Sequence, residues 1–160
     1  RWFSYQHEGI TPDIVTVAKG LGGGLPLGAT IAVTPAAQLF TPGSHGTTFG
    51  GNPTSCAAAL ATIAVIESKE LLESNARLGG VLKDGLSAIE GVRALRGIGL
   101  WIGIDVEDAP AVVRELQSLG VLVNAAGPHT IRLAPPYIVT ESEISEFTSL
   151  FEKAIRKVAS

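Results

Sequence analysis

Thr11-Pro12-Asp13-Ile14-Val15-Thr16-Val17-Ala18-Lys19-Gly20-Leu21-Gly22-Gly23-Gly24-Leu25-Pro26-Leu27-Gly28-Ala29 is the stretch whose reading decides the fold. Its first half, Ile14 to Ala18, is a short run of apolar and β-branched residues, the pattern of a buried strand. The run stops at Lys19 and a cluster of glycines. A lysine at the end of a buried strand holds its amine where solvent is scarce, which favours nucleophilic or Schiff-base chemistry. Glycines, without side chains, let a flat ligand or a second backbone come close. The string also fits a plainer reading, a lysine reaching out to water beside a flexible turn, and taken alone it favours that one. Two other glycine-loop motifs fail here. The third glycine of a dinucleotide fingerprint is Leu25 or Leu27, depending on the frame, and no Gly-Lys-Ser/Thr follows for a P-loop.

Outward from this stretch, Gly28 to Thr34 reads as a second strand, stopped by Pro35. Thr54 to Ile66 is apolar nearly all round and reads as a buried helix, with Asn52 or Thr54 as its cap. Leu71 to Ile89 carries apolar residues at helical spacing, so an amphipathic helix is expected. Leu100 to Val106 is a strand, Ala109 to Leu119 a helix, and Val121–Val123 and Thr130–Leu133 are short strands. Glu141 to Val158 closes the chain as an amphipathic helix with Thr140 as its N-cap. The elements make an α/β chain in two parts. Residues 1–60 hold the glycine-rich part, and residues 61–160 a helix followed by a small α+β domain.

The bulk composition narrows the function classes. The chain is 46% hydrophobic and 17% charged, which describes a globular protein rather than a disordered one. Its net charge is -3, with scattered Lys and Arg, so nucleic acid is not an expected partner. No apolar run approaches the roughly 20 residues of a membrane helix, so no membrane partner is expected either. The single cysteine, Cys56, rules out an intrachain disulfide framework and fits a reducing, cytoplasmic setting. It reads as a core cysteine. His7, His45 and His129 lack metal-ligand spacing. Arg1–His7 has neither the apolar core nor the cleavage site of a signal peptide, and the absence of Met points to a fragment.

Two further segments bear on chemistry. His45-Gly46-Thr47-Thr48-Phe49-Gly50-Gly51-Asn52-Pro53 is polar, glycine-rich and leads into a helix. Hydroxyls and free backbone N–H groups at such a place suit a phosphate, although most such segments are only capped turns. Ile131-Arg132-Leu133-Ala134-Pro135-Pro136 sets an arginine inside an apolar strand. Its planar fork matches a carboxylate, which is either a ligand's or that of an acidic residue in a structural ion pair. Asp105, Glu107 and Asp108 read as a solvated strand end. Arg96-Gly97-Ile98-Gly99-Leu100 reads as an architectural turn into a strand.

Taken together, the Thr11–Ala29, His45–Pro53 and Ile131–Pro136 segments closely resemble, in order, three motifs of the class III aminotransferases that depend on pyridoxal 5'-phosphate (PLP). The resemblance runs over essentially the whole chain. It implies the fold-type I architecture, with residues 1–60 ending the sheet of the large domain. It implies that Lys19 holds PLP covalently and, once released, moves the proton between the substrate Cα and the cofactor. Thr48 would contact the PLP phosphate of a neighbouring subunit, Thr47 the substrate, and Arg132 the substrate α-carboxylate. The active sites would then be shared across a homodimer. The family usually continues after the two prolines with Leu, where this chain has Tyr137.

Gly120-Val121-Leu122-Val123-Asn124 looks most like the acetylornithine aminotransferases, which implies exchange between N2-acetylornithine and 2-oxoglutarate in arginine biosynthesis. Ornithine, succinylornithine and 4-aminobutyrate enzymes share the three motifs. The family's upstream half has no counterpart here, including the Asp that pairs with the pyridine nitrogen. The chain as it stands is therefore expected to be inactive. A non-enzymatic truncated product is the competing reading, and the residues encoded before Arg1 discriminate the two.

Overall fold

Ile14–Val17 (β1) pairs antiparallel with Ala29–Ala32 (β2), setting Ile14 opposite Ala32 and Val17 opposite Ala29. The structure is a computed structural model that describes residues 1–33 and 35–159; Thr34, expected at the end of the second strand, lies outside them. The chain divides into two compact units, Arg1–Leu72 and Glu73–Ser160.

The first strand was expected to be buried, and it is not: Ile14 is 49% exposed, and Ile31 on the paired strand 50%. Among the described residues this ribbon has no third strand, and its apolar side chains keep much of their contact with water. The same holds for Pro53–Ser68 (α1). Proline at its first turn and Asn52 Oδ1, which accepts from Ser55 N–H at 2.9 Å, start it as expected. Within it only Ser55 and Ala59 are buried, whereas the sequence predicts burial nearly all round. Among the described residues of its own unit, the main neighbour of α1 is the 3-10 turn Lys19–Gly22 that follows β1.

The second unit is layered. Ala94–Ile98 (β3), Trp101–Asp105 (β4), Asn124–Ala125 (β5) and Thr130–Leu133 (β6) form an antiparallel sheet in the order β3-β4-β6-β5. Leu71–Ser87 (α2), Ala109–Ser118 (α3) and Glu141–Ala159 (α4) complete the set of helices. The register puts Ile102 opposite Leu133 and Ile104 opposite Ile131, so these four share one face. That face is buried in a core with Leu78, Leu82 and Leu86 of α2, Val112 and Leu116 of α3, and Phe151 and Ile155 of α4. The alternate residues Gly103, Asp105, Thr130 and Arg132 lie on the other face.

Two sequence assignments change. Ala94–Ile98 is a full strand, hidden in the sequence because Arg96 and Gly97 interrupt its apolar pattern; the tight turn falls at Gly99–Leu100. Val121–Val123 is not a strand. Val121 N–H donates to Leu116 O at 2.9 Å, closing the end of α3, and strand pairing starts only at Asn124.

Thr140 caps α4 as expected. Its Oγ1 accepts from Glu143 N–H at 3.2 Å while Glu143 Oε2 accepts from Thr140 N–H at 2.7 Å, a reciprocal capping box. The hydrogen bonds that Thr140 N–H and the Thr140 hydroxyl donate to Glu143 Oε2 hold that carboxyl below its ordinary value. On α2, Gly79 lies against Gly99: a Cβ at Gly79 would sit 2.4 Å from the Gly99 carbonyl oxygen. One turn on, Lys83 Nζ donates to Gly97 O at 2.6 Å.

Candidate active site

Lys19 is the first residue of the 3-10 turn after β1, and its backbone is left-handed, with φ 53°. Side chains other than glycine, asparagine and aspartate visit that region rarely, and held there they carry local strain of about 1–3 kcal/mol. The side chain is exposed rather than withdrawn from solvent, as its place at the end of a buried strand had predicted. Its amine forms no hydrogen bond or ion pair with any described residue. Beyond it, a Cβ added at Gly20 or Gly24 would meet nothing within 4 Å, so the turn leaves open space beside the lysine.

Thr47 and Thr48 share the exposed turn that leads into α1. Thr47 Oγ1 accepts from Gly50 N–H at 3.1 Å, and Asn52 Nδ2 donates to Phe49 O at 3.0 Å. These bonds shape the turn, while the Thr48 hydroxyl has no partner among the described residues. Lys19 and the two threonines belong to one unit but make no hydrogen bond to one another. The glycine turn meets α1 at Thr62, whose Oγ1 would lie 2.7 Å from a Cβ on Gly23. With a rise of about 1.5 Å per residue, that contact is roughly 15 Å along the helix from Asn52.

Arg132 lies in the second unit, in the middle of β6, opposite Gly103 on β4 and Asn124 on β5. It is exposed, on the sheet face away from the core. A structural ion pair was one reading of this residue. Among the described residues it has no such pair, although Arg77, Arg93, Arg96 and Arg156 are engaged by Glu141, Glu107, Asp105 and Glu152.

The acidic strand end is not simply solvated. Asp105 takes Arg96 on one carboxylate oxygen and the Thr130 hydroxyl on the other, the latter at 2.6 Å. Arg96 also donates to Thr130 Oγ1 at 2.8 Å, closing a triangle across Gly103. The Arg96 and Thr130 hydrogen bonds hold the Asp105 carboxyl below its ordinary range. Glu107 pairs with Arg93, and Asp108 Oδ1 accepts from Ala111 N–H at 2.9 Å, capping α3. Sequence reasoning passed over Arg96 and Thr130. The signal was present only once the strands were paired, since it is the register that sets Asp105 opposite Thr130 and Arg96 opposite Gly103. Among the described residues no group of His, Cys, Asp and Glu has a metal-holding arrangement. No described helix is long and apolar enough to cross a membrane.

Residues 1–155 match the family described as aminotransferase class-III. The acetylornithine aminotransferase of Mycobacterium tuberculosis is 50% identical over 155 residues, covering 92% of this chain and 38% of that protein. That of Bacillus subtilis is 47% identical over 157 residues, covering 96% and 41%. Among solved structures, the acetylornithine aminotransferase of Elizabethkingia anophelis matches with a TM-score of 0.87 at 31% identity, over 98% of this chain and 44% of its own. The ornithine aminotransferase of Toxoplasma gondii matches with a TM-score of 0.90 at 29% identity, over 99% and 40%. The chain thus spans about two-fifths of the length of the curated relatives it matches. Its fold is that of a portion of the fold-type I aminotransferases, and the chain belongs to the class-III aminotransferase family.

Proposed function

We propose that the protein these residues belong to is a PLP-dependent aminotransferase whose substrates are N2-acetylornithine and 2-oxoglutarate, acting in arginine biosynthesis in the cytoplasm. The observation that carries the reading is Lys19: an uncommitted amine on left-handed backbone, between a strand and a glycine turn with open space beside it. An amine, a free hydroxyl and a free guanidinium are the donor set that an aldehyde cofactor with a phosphate, and a substrate with a carboxylate, require. The residues fit the group.

PLP, when bound, supplies the electron sink for the substrate's Cα electrons. Lys19 Nζ holds the cofactor and then carries the proton to and from the substrate Cα. Thr48 Oγ1 donates to the phosphate, Thr47 contacts the substrate, and the Arg132 fork grips the α-carboxylate of amino acid and oxo-acid in turn. The separation along α1 between the glycine turn and the Thr48 turn supports a site made by two chains of a homodimer. Residues 1–60 are then the end of the large cofactor-binding domain, and residues 61–160 the connecting helix and small domain.

Support for the amino donor comes from the relatives near 50% identity, which are acetylornithine aminotransferases. Ornithine is the second candidate, through the Toxoplasma structure; succinylornithine and 4-aminobutyrate enzymes share the three motifs. Side-by-side kcat/KM for the four donors discriminates them. The cofactor role is tested on the whole protein reconstituted with PLP. Lys19→Ala is expected to abolish the absorbance band of the covalently held cofactor. A band retained in that variant and still reducible by borohydride would show the lysine to be misassigned.

A further inference from the structure

Arg132 has an anion close at hand and does not use it. Asp105 is its diagonal neighbour on the open face, since Arg132 stands opposite Gly103 and Asp105 is two residues along β4. Diagonal neighbours of antiparallel strands are about 7–8 Å apart at the backbone, within the combined reach of an arginine and an aspartate. Yet each carboxylate oxygen of Asp105 already accepts a hydrogen bond, one from Arg96 and one from Thr130, and the Arg96 guanidinium balances its charge. The other acidic groups at this strand end are occupied as well, Glu107 by Arg93 and Asp108 by the first turn of α3.

Arg96 lies opposite Gly103 on β4, which carries no side chain. Gly103 separates the two arginines on the face, and a Cβ there would already lie 3.4 Å from Arg96 Cγ and 3.6 Å from Thr130 Cγ2. The stem of Arg96 therefore lies over a bare stretch of β4, with its fork turned to Asp105 and Thr130.

We propose that Arg96 is a positioning residue: by holding Asp105 it keeps the Arg132 guanidinium free for the carboxylate of the substrate. The inference rests on the reading of Arg132 as the carboxylate-binding residue. Without Arg96, Asp105 remains an anion within reach of Arg132 and competes with every substrate for it. The competition acts equally on amino acid and oxo-acid, because both present a carboxylate to the same fork. It weakens binding and leaves the proton transfer at Cα untouched.

The test uses the whole protein loaded with PLP. It reads KM and kcat for 2-oxoglutarate, together with the calorimetric Kd of glutarate, an unreactive dicarboxylate. Arg96→Ala is expected to raise KM and Kd about tenfold with kcat within about twofold, since a charge-assisted bond of this kind is worth about 1.4 kcal/mol or more. Arg96→Lys, which keeps the charge beside Asp105, is expected to retain most of the affinity. The decisive variant is Arg96→Ala combined with Asp105→Asn, which removes the competing charge and is expected to restore KM and Kd to within about threefold of the parent. If that double variant binds no better than Arg96→Ala, or if Arg96→Ala binds normally, the inference is overturned. Arg132→Ala separates this from the underlying reading: unchanged glutarate affinity in that variant overturns the carboxylate role itself.

Discussion

The first unit and the second are made of similar material and end up in different states. In the first, only Gly22, Ser55, Ala59 and Leu71 are buried among the described residues, and Leu60, Phe49 and Leu39 are largely exposed. In the second, a sheet face and three helices close on one core, with Leu86, Ile102, Ile104, Leu116, Ile131 and Phe151 fully buried. The contrast lies in patterning rather than in apolar content. Helices α3 and α4 are apolar on one side only, so each finds its partner and stops. Helix α1 is apolar all round and needs partners on every side, but among the described residues of its unit only Ser55 and Ala59 of the helix are buried. Apolar surface buried from water is the main favourable term in folding, so the second unit carries most of its own stability and the first little.

The sharpest way to break this contrast is to separate the halves. Residues 73–160 expressed alone are expected to unfold in one cooperative transition, and residues 1–72 alone to show none; calorimetry or denaturant titration reads both. A cooperative transition in the first half would overturn the comparison. Next in size are side-chain truncations in the 160-residue chain. Phe151→Ala should cost about 3–5 kcal/mol, because it empties the centre of the core. Leu60→Ala, on exposed surface, should stay within about 0.5 kcal/mol.

The smallest effect is a pH dependence in the second unit. The folded-state values of Asp105 and Glu143 both lie below their ordinary values of 3.8 and 4.5, so in each case the ionised form is favoured by folding. Their contribution is therefore present above the ordinary values and lost as pH falls through the depressed ones. Denaturant midpoints measured from neutral to acid pH should decline there, and the decline should be shallower in Asp105→Asn and Glu143→Gln.

The same contrast decides how far the sequence could be read. Where residues alternate between one wet and one dry side, the elements came out nearly to the residue: Thr130–Leu133, Ala109–Ser118, and the Thr140 cap. Where residues are apolar throughout, as in Ile14–Val17 and α1, the type of element was legible but its burial was not. Periodicity reports what a residue wants, and burial depends on what else is there to cover it. Ala94–Ile98 was missed because Arg96 belongs to the open face and Gly97, paired with Ile102, has no side chain, which breaks the apolar alternation. In the candidate site, Lys19, Thr47, Thr48 and Arg132 stood out in short local strings. The left-handed backbone of Lys19 and the engagement of Asp105 by Arg96 depend on folding and on register, which no local string contains.

The contact between Gly79 and Gly99 has a mechanical meaning. With two bare backbones touching, the helix is keyed onto the β3–β4 hairpin like a shaft in a slot, and Lys83 on Gly97 acts as the set screw. Advancing α2 by one residue in one direction drives the Leu78 side chain into that slot. In the other direction Gly80 fits the slot, but Leu78, Leu82 and Leu86 are turned out of the core. The joint has a single seating, so it fixes the register of the helix against the hairpin whose first strand carries Arg96.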